Sequence, residues 1–245
     1  MKHTVIHLPE TDSTNNYAIK LLEKNRPEEG CVIITGNQTK GKGLDTNTWE
    51  SEKDMNLTFS VILYPTFTAD RQFLLNKAIS LGIYDFLVRE IPTHRVSIKW
   101  PNDIYIEAKK ACGILIQNSV IGNRFDYVVV GIGLNVNQMI FTSNAPNPVS
   151  MKMVTGIDYN MKELLQKLLN SIFKQYERVK TATTNKIENE YHSSLYRMME
   201  WHDYQVKGEK IEARITGTNA YGQLLLETEK EQVIICDLKE IKFME

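Results

Sequence analysis

Five apolar runs of strand length, at residues 31–35, 57–64, 96–99, 111–117 and 127–136, are separated by polar or glycine-bearing breaks. Runs of that length suit strands better than helices, and a break such as Ile121-Gly122-Asn123 is hairpin chemistry. A chain punctuated in this way is held to a mostly antiparallel sheet. Helical spacing marks the stretches around it. Thr11-Asp12-Ser13-Thr14 offers capping oxygens ahead of Tyr17, Ala18, Leu21 and Leu22, after a short strand at 4–8. Phe73, Leu74, Ala78, Leu81 and Leu87 predict one long helix over 70–90, mildly interrupted by Gly82. Asn160 with Glu163 has the form of a capping box, and Leu164, Leu165, Leu168, Leu169, Ile172, Phe173 and Tyr176 follow at the spacing of a buried helix face. Beyond Trp201 the pattern turns β-rich, at 211–215, 221–227 and 233–236, with Asn219-Ala220-Tyr221-Gly222 as turn chemistry. That predicts a small barrel-like unit.

A length of 245 residues with 42% hydrophobic and 24% charged side chains can bury a full core, which predicts one main domain with a small appendage. The balance of 29 basic against 30 acidic residues lacks the cationic field that grips a duplex by its phosphates, so nucleic acid is not the expected partner. Cys31, Cys112 and Cys236 are odd in number, widely separated and free of metal-ligand spacing, which points to a reducing compartment. The five histidines are equally scattered, and no zinc site is legible. With no signal or transit pattern in residues 1–10 and no run of 18 apolar residues, a soluble cytoplasmic protein without membrane contact is expected.

The chemistry concentrates in two places. Residues 36–48 hold three glycines with Lys40 and Lys42. The spelling approaches a P-loop, but Gly43 stands where a magnesium-binding Ser or Thr belongs, and the chain continues into a strand instead of a helix. What remains is a loop whose backbone N–H groups can approach an anion, or a solvated surface turn. The second place is Lys99-Trp100-Pro101-Asn102-Asp103, followed by Lys110-Ala111-Cys112-Gly113. Lys99 and Lys110 offer cations for phosphate oxygens and Asp103 a carboxylate for the accompanying magnesium. Alone, either piece reads equally as a solvated strand end with an Asn-Asp turn; together they favour a site. Gly131-Ile132-Gly133-Leu134-Asn135-Val136 lacks the third glycine of a dinucleotide fingerprint and lies in a strand, where glycine marks close approach of another group. Trp49 covers a bound adenine or packs the loop base.

In order and spacing, Asp12-Ser13-Thr14-Asn15, Gln38 with Gly41-Lys42-Gly43 and Trp49, Lys99 through Asp103, Lys110 through Gly113, and Gly131 through Asn135 resemble the biotin-protein ligases. These are also called biotin-[acetyl-CoA-carboxylase] ligases, and the resemblance runs over essentially the whole chain. It implies an α+β catalytic domain at 1–198, like that of class II aminoacyl-tRNA synthetases, with a mixed, mostly antiparallel sheet. An SH3-like β-barrel at 199–245 would follow. The implied reaction joins biotin and MgATP as biotinoyl-5'-AMP, then moves biotin to a lysine of a biotin carboxyl carrier protein. Ser13, Thr14, Asn15, Gln38, Gly41, Lys42, Gly43, Leu44, Lys110 and Gly113 are implied at biotin. Lys42, Trp49, Lys99, Asn102, Asp103 and Asn135 are implied at ATP, with Asp103 also as magnesium ligand. Lys42 and Lys110 would be the catalytic pair, since a carboxylate attacking phosphorus needs its charge and that of the phosphate neutralised. Ile114 and Leu134 are the expected aliphatic wall.

The chain departs from the family pattern in two respects. Where family loops carry several arginines before the tryptophan, this one reads Lys42, then Leu44-Asp45-Thr46-Asn47-Thr48. Lysine lacks the bidentate fork of arginine, and Asp45 reverses a charge, so weaker retention of the adenylate is expected. No helix-turn-helix precedes Thr4, so operator binding is not expected. A lipoate-protein ligase lacks support because no arginine-rich stretch followed by a triple glycine is present, and a non-catalytic biotin-binding regulator has Lys99, Asp103 and Lys110 against it. Exposed sheet edges would allow a homodimer or pairing with the carrier's β-structured domain.

Overall fold

Along the strand at Asn56–Leu63, Leu57, Phe59, Val61 and Leu63 are buried in one apolar cluster, while Ile62 belongs to a second cluster on the opposite face. Two-sided burial places this strand inside a sheet covered on both sides. The structure, a computed structural model, describes residues 3–44, 47–143, 145–181 and 184–244. Its larger sheet comprises β1 (Val5–Leu8), β2 (Val32–Thr35), β3 (Asn56–Leu63), β4 (Val96–Lys99), β5 (Asp103–Ile106), β6 (Lys109–Ile121) and β7 (Arg124–Asn135), ordered β1-β2-β3-β7-β6-β5-β4. Every neighbouring pair is antiparallel except β1 with β2. Gly122, at φ +61, makes the expected tight turn between β6 and β7.

The helices are α1 (Thr14–Lys24), α2 (Gln72–Glu90), α3 (Met151–Thr155), α4 (Met161–Thr181) and α5 (Thr184–Ser193). The larger apolar cluster joins α2 and α4 to one face of the sheet; the smaller sets α1 over Ile33, Ile62 and Val129 on the other. Asn160 caps α4 as expected, its Oδ1 accepting the N–H groups of Lys162 and Glu163 at 3.0 and 3.2 Å. Gly82 is no mere interruption. A Cβ there would sit 2.7 Å from the Cα of Ile172, so glycine lets α2 and α4 pack backbone to backbone.

A second, wholly antiparallel sheet follows: β8 (Trp201–Val206), β9 (Glu209–Thr218), β10 (Leu224–Thr228), β11 (Val233–Cys236) and β12 (Ile241–Phe243), ordered β11-β10-β9-β8-β12. Its inward residues, among them Tyr204, Ile215, Leu224 and Leu226, belong to the same buried cluster as α2 and α4. The chain is thus an α+β unit joined by continuous packing to a carboxy-terminal β unit. The sequence pattern missed β5, α3, α5, β8 and β12. β5 begins at Asp103, inside a segment read as a turn, and α5 is polar along most of its length, burying Ile187 and Tyr191. All three cysteines are buried and unbridged. No helix among the described residues is long and apolar enough to cross a membrane.

Candidate active site

On β3, β6 and β7, the residues that alternate away from the large core change character past α1. Ile62 and Val129 lie beneath α1; next along the same face come Ser60, Gly131 and Gly133, with Gly113 opposite Gly133 on β6. The period of two along a strand puts these small residues on one surface, and the three glycines floor a cavity of about 1090 Å³. Side chains already fill the approach to each glycine. A Cβ on Gly131 would strike the amide of Asn15, and one on Gly133 or Gly113 would strike the ring of Trp49.

The start of α1 forms one wall. Ser13 occupies the cap position but makes no side-chain cap bond, contrary to the sequence reading, and both Ser13 and Thr14 line the cavity. Gln38, from the glycine-lysine loop, does the capping: its Oε1 accepts the Thr14 N–H at 2.9 Å and lies 3.3 Å from the Thr14 hydroxyl. Asn15 braces the floor. Its Nδ2 donates to Gln117 Oε1 at 2.8 Å and to the Leu115 carbonyl at 3.3 Å, and its Oδ1 lies 2.6 Å from the Ser60 hydroxyl.

The loop and the β4–β5 turn bring the cations. Lys42, Gly43 and Leu44 line the cavity, with Lys42 Nζ donating to Asn16 Oδ1 at 2.9 Å. The ring of Trp49 lies on the strand glycines, with its Nε1 buried and unpartnered, and Lys110 Nζ is 5.8 Å from the ring centroid. Lys110 Nζ pairs with Asp103 Oδ2 at 2.7 Å. Lys99 Nζ donates to the Tyr105 hydroxyl at 3.0 Å and lies 4.8 Å from the Phe243 ring centroid. Asn102 completes that turn on the cavity wall. The neighbouring Cys112 is no nucleophile: burial, then Asp103, pushes its thiol well above the ordinary range.

Among the described lining residues, Lys42, Lys99, Lys110, Arg197 and Lys242 face a single carboxylate, Asp103. In a chain of formal charge -1, that local excess of cations marks a site for a polyanion. No group of three or more His, Cys, Asp or Glu side chains among the described residues is placed to cage a metal. One carboxylate fits only an ion such as Mg2+ that a substrate's phosphates also hold.

Two expected residues lie off the cavity. Gly41 supports the loop, where a Cβ would meet the Trp49 carbonyl and the Gln38 amide. Asn135 is buried behind the site and donates to the Val149 carbonyl at 3.2 Å. Of the expected aliphatic wall, Leu134 belongs to the core, and Ile114 borders the cavity while packing against that core. Leu115, on the glycine face opposite Gly131, was missed although counting by two from Gly113 reaches it. Asp45 lies outside the described residues. Arg197, just before the carboxy-terminal unit, and Lys242 and Phe243 within it were also missed, because only tertiary packing brings these segments to the rim.

The family model described as Biotin/lipoate A/B protein ligase family matches residues 8–135. Among curated relatives, the bifunctional ligase/repressor BirA of Bacillus subtilis is 26% identical, covering 91% of this chain and 66% of its own length. The biotin--[acetyl-CoA-carboxylase] ligase of Paracoccus denitrificans is 29% identical over 86% of this chain and 85% of that protein. The structure of biotin protein ligase from Aquifex aeolicus in complex with biotin and ATP superposes with a TM-score of 0.81 at 28% identity, covering 98% of both chains.

Proposed function

Since the chain belongs to the biotin/lipoate A/B protein ligase family, we infer that it is an ATP-dependent biotin-protein ligase. It joins biotin to AMP and passes biotin to a lysine of a carboxyl carrier protein of the acetyl-CoA carboxylase type. The single observation that carries this reading is the convergence of five cations over a glycine floor in one cavity. Relatives named as biotin ligases, and a solved biotin ligase with biotin and ATP, support it. We assign residues 1–198 to the catalytic unit and 199–245 to the carboxy-terminal one.

In the first step the biotin carboxylate attacks the α-phosphorus of ATP, forming a C–O–P anhydride as the bond to pyrophosphate breaks. Both reactants are anions. Lys42, from the loop, and Lys110, from β6, neutralise them and hold them in line, so catalysis is positioning plus electrostatics. Ser13, Thr14, Asn15 and Gln38, with Gly43, Leu44 and Gly113, surround the biotin end; Trp49, Lys99 and Asn102 surround the nucleotide. Asp103 would hold magnesium together with the nucleotide's phosphates, and the ion supplies further charge neutralisation there. Asp103 would then exchange its pairing with Lys110, leaving that ammonium to the reacting carboxylate. In the second step the neutral amine of the carrier lysine attacks the acyl carbon, the amide forms and AMP leaves.

The test is incubation with biotin, MgATP and an acceptor domain, scored by the mass of one modified lysine. A shift by one biotinoyl group is expected. Pyrophosphate release with lipoate and none with biotin would overturn the assignment in favour of a lipoate ligase, and biotin affinity without ATP turnover would leave only a binding protein.

A further inference from the structure

The turn between β4 and β5 carries Lys99, Asn102 and Asp103, yet what holds it lies elsewhere in the fold. Trp100 is buried at the edge of the cavity, and its Nε1 donates to the Gly222 carbonyl, in the carboxy-terminal unit, at 2.8 Å. The Tyr191 hydroxyl, from α5, donates to the Pro101 carbonyl at 2.7 Å. The acceptor at Gly222 is itself fixed. Asn219 Oδ1 accepts the N–H groups of Tyr221 and Gln223 at 3.0 and 3.1 Å, and the Gly222 N–H donates to the Asn219 carbonyl at 3.0 Å. Gly222 has φ +88, and a Cβ there would strike the Phe73 ring, so its position is set by backbone conformation and packing together.

We propose that the 219–222 turn is a positioning element for nucleotide activation: through Trp100 it fixes the turn that presents Lys99, Asn102 and Asp103 to ATP. Neither Asn219 nor Gly222 lines the cavity, so their action is indirect. The inference rests on reading that face of the cavity as the nucleotide side. A buried N–H donor that loses its acceptor drives local rearrangement, and reacting groups misplaced by about 1 Å lose up to 10²-fold in rate.

The test compares Trp100→Phe, Asn219→Ala, Asn219→Asp and Asn102→Ala in the full chain. ATP–pyrophosphate exchange reports the first step, biotin titration without ATP reports the biotin end, and transfer from supplied biotinoyl-AMP reports the second step. Trp100→Phe and Asn219→Ala are expected to lower kcat/KM for MgATP by about 10-fold, with biotin affinity and transfer changed less than about twofold. Asn219→Asp keeps the accepting oxygen and should restore most of the loss. If Asn102→Ala impairs ATP use while folded Asn219→Ala and Trp100→Phe do not, the positioning role is wrong. Parallel loss of biotin binding in Asn219→Ala would equally overturn it, since that is general unfolding. Unchanged ATP use in Asn102→Ala would sink the nucleotide assignment, and the proposal with it.

Discussion

Lys110 joins the two ends of the candidate site: its ammonium is 2.7 Å from Asp103 and within reach of the Trp49 ring. Removing it deletes a charge-assisted contact worth about 1.5–3 kcal/mol and leaves the reacting carboxylate without the ammonium that would neutralise it. Lys110→Ala should slow adenylation by about 10²- to 10³-fold, measured by pyrophosphate exchange, with the melting temperature little changed. A first-step rate like that of the parent would retire Lys110 from the mechanism. At this scale much of the site was legible, because lysines, an aspartate and glycines within strand-length runs have few structural uses. Asn135 and Gly41 show the limit. Their residue types suit a site, but one faces the interior behind it and the other braces a loop, and neither orientation is written in local spacing.

Among elements, the junction of α2 with α4 is the least forgiving. Alanine has a helix propensity about 1 kcal/mol better than glycine, yet a methyl group at position 82 meets the backbone of Ile172. Overpacking against backbone costs about 1–3 kcal/mol, so Gly82→Ala should lower stability in denaturant titration, with cofactor-free biotin affinity retained at low temperature. A gain in stability would show that the helices can part cheaply. Periodicity identified β1, β2, β3, β4, β6, β7, α1, α2 and α4, whose apolar faces are wide. It failed at α5, where Ile187 and Tyr191 are the buried apolar anchors, and at β5, where the motif's polar residues masked strand pairing with β4 and β6. Ser13 departed from its expected cap role because Gln38, 25 positions along the chain, satisfies the first turn instead.

For the molecule as a whole, the contact between α5 and β9 ties the two units together through an imidazole. His192 Nε2 accepts the Thr218 N–H at 3.1 Å, so that nitrogen is unprotonated, and the Thr218 hydroxyl lies 3.0 Å from it. Burial, then the charge of Lys77, holds His192 below its ordinary value of 6.5, against an opposing pull from Glu188; Tyr191 packs beside the ring. The folded state therefore prefers the neutral imidazole. Its contribution to stability is complete above pH 6.5 and is lost as pH falls from there through the lowered native value. His192→Gln keeps an acceptor without titrating, and it should flatten the fall in melting temperature over that window; an unchanged pH slope would place the titration elsewhere.

β7 stands fourth of seven strands, hydrogen-bonded to β3 on one side and β6 on the other, and its glycines are the floor of the cavity. Its amides are thus among the slowest to trade hydrogen for deuterium before any ligand arrives. Occupancy of the cavity would leave little trace there, and its footprint in solution would register on the rim, along the loop of Lys42 and the turn of Asn102.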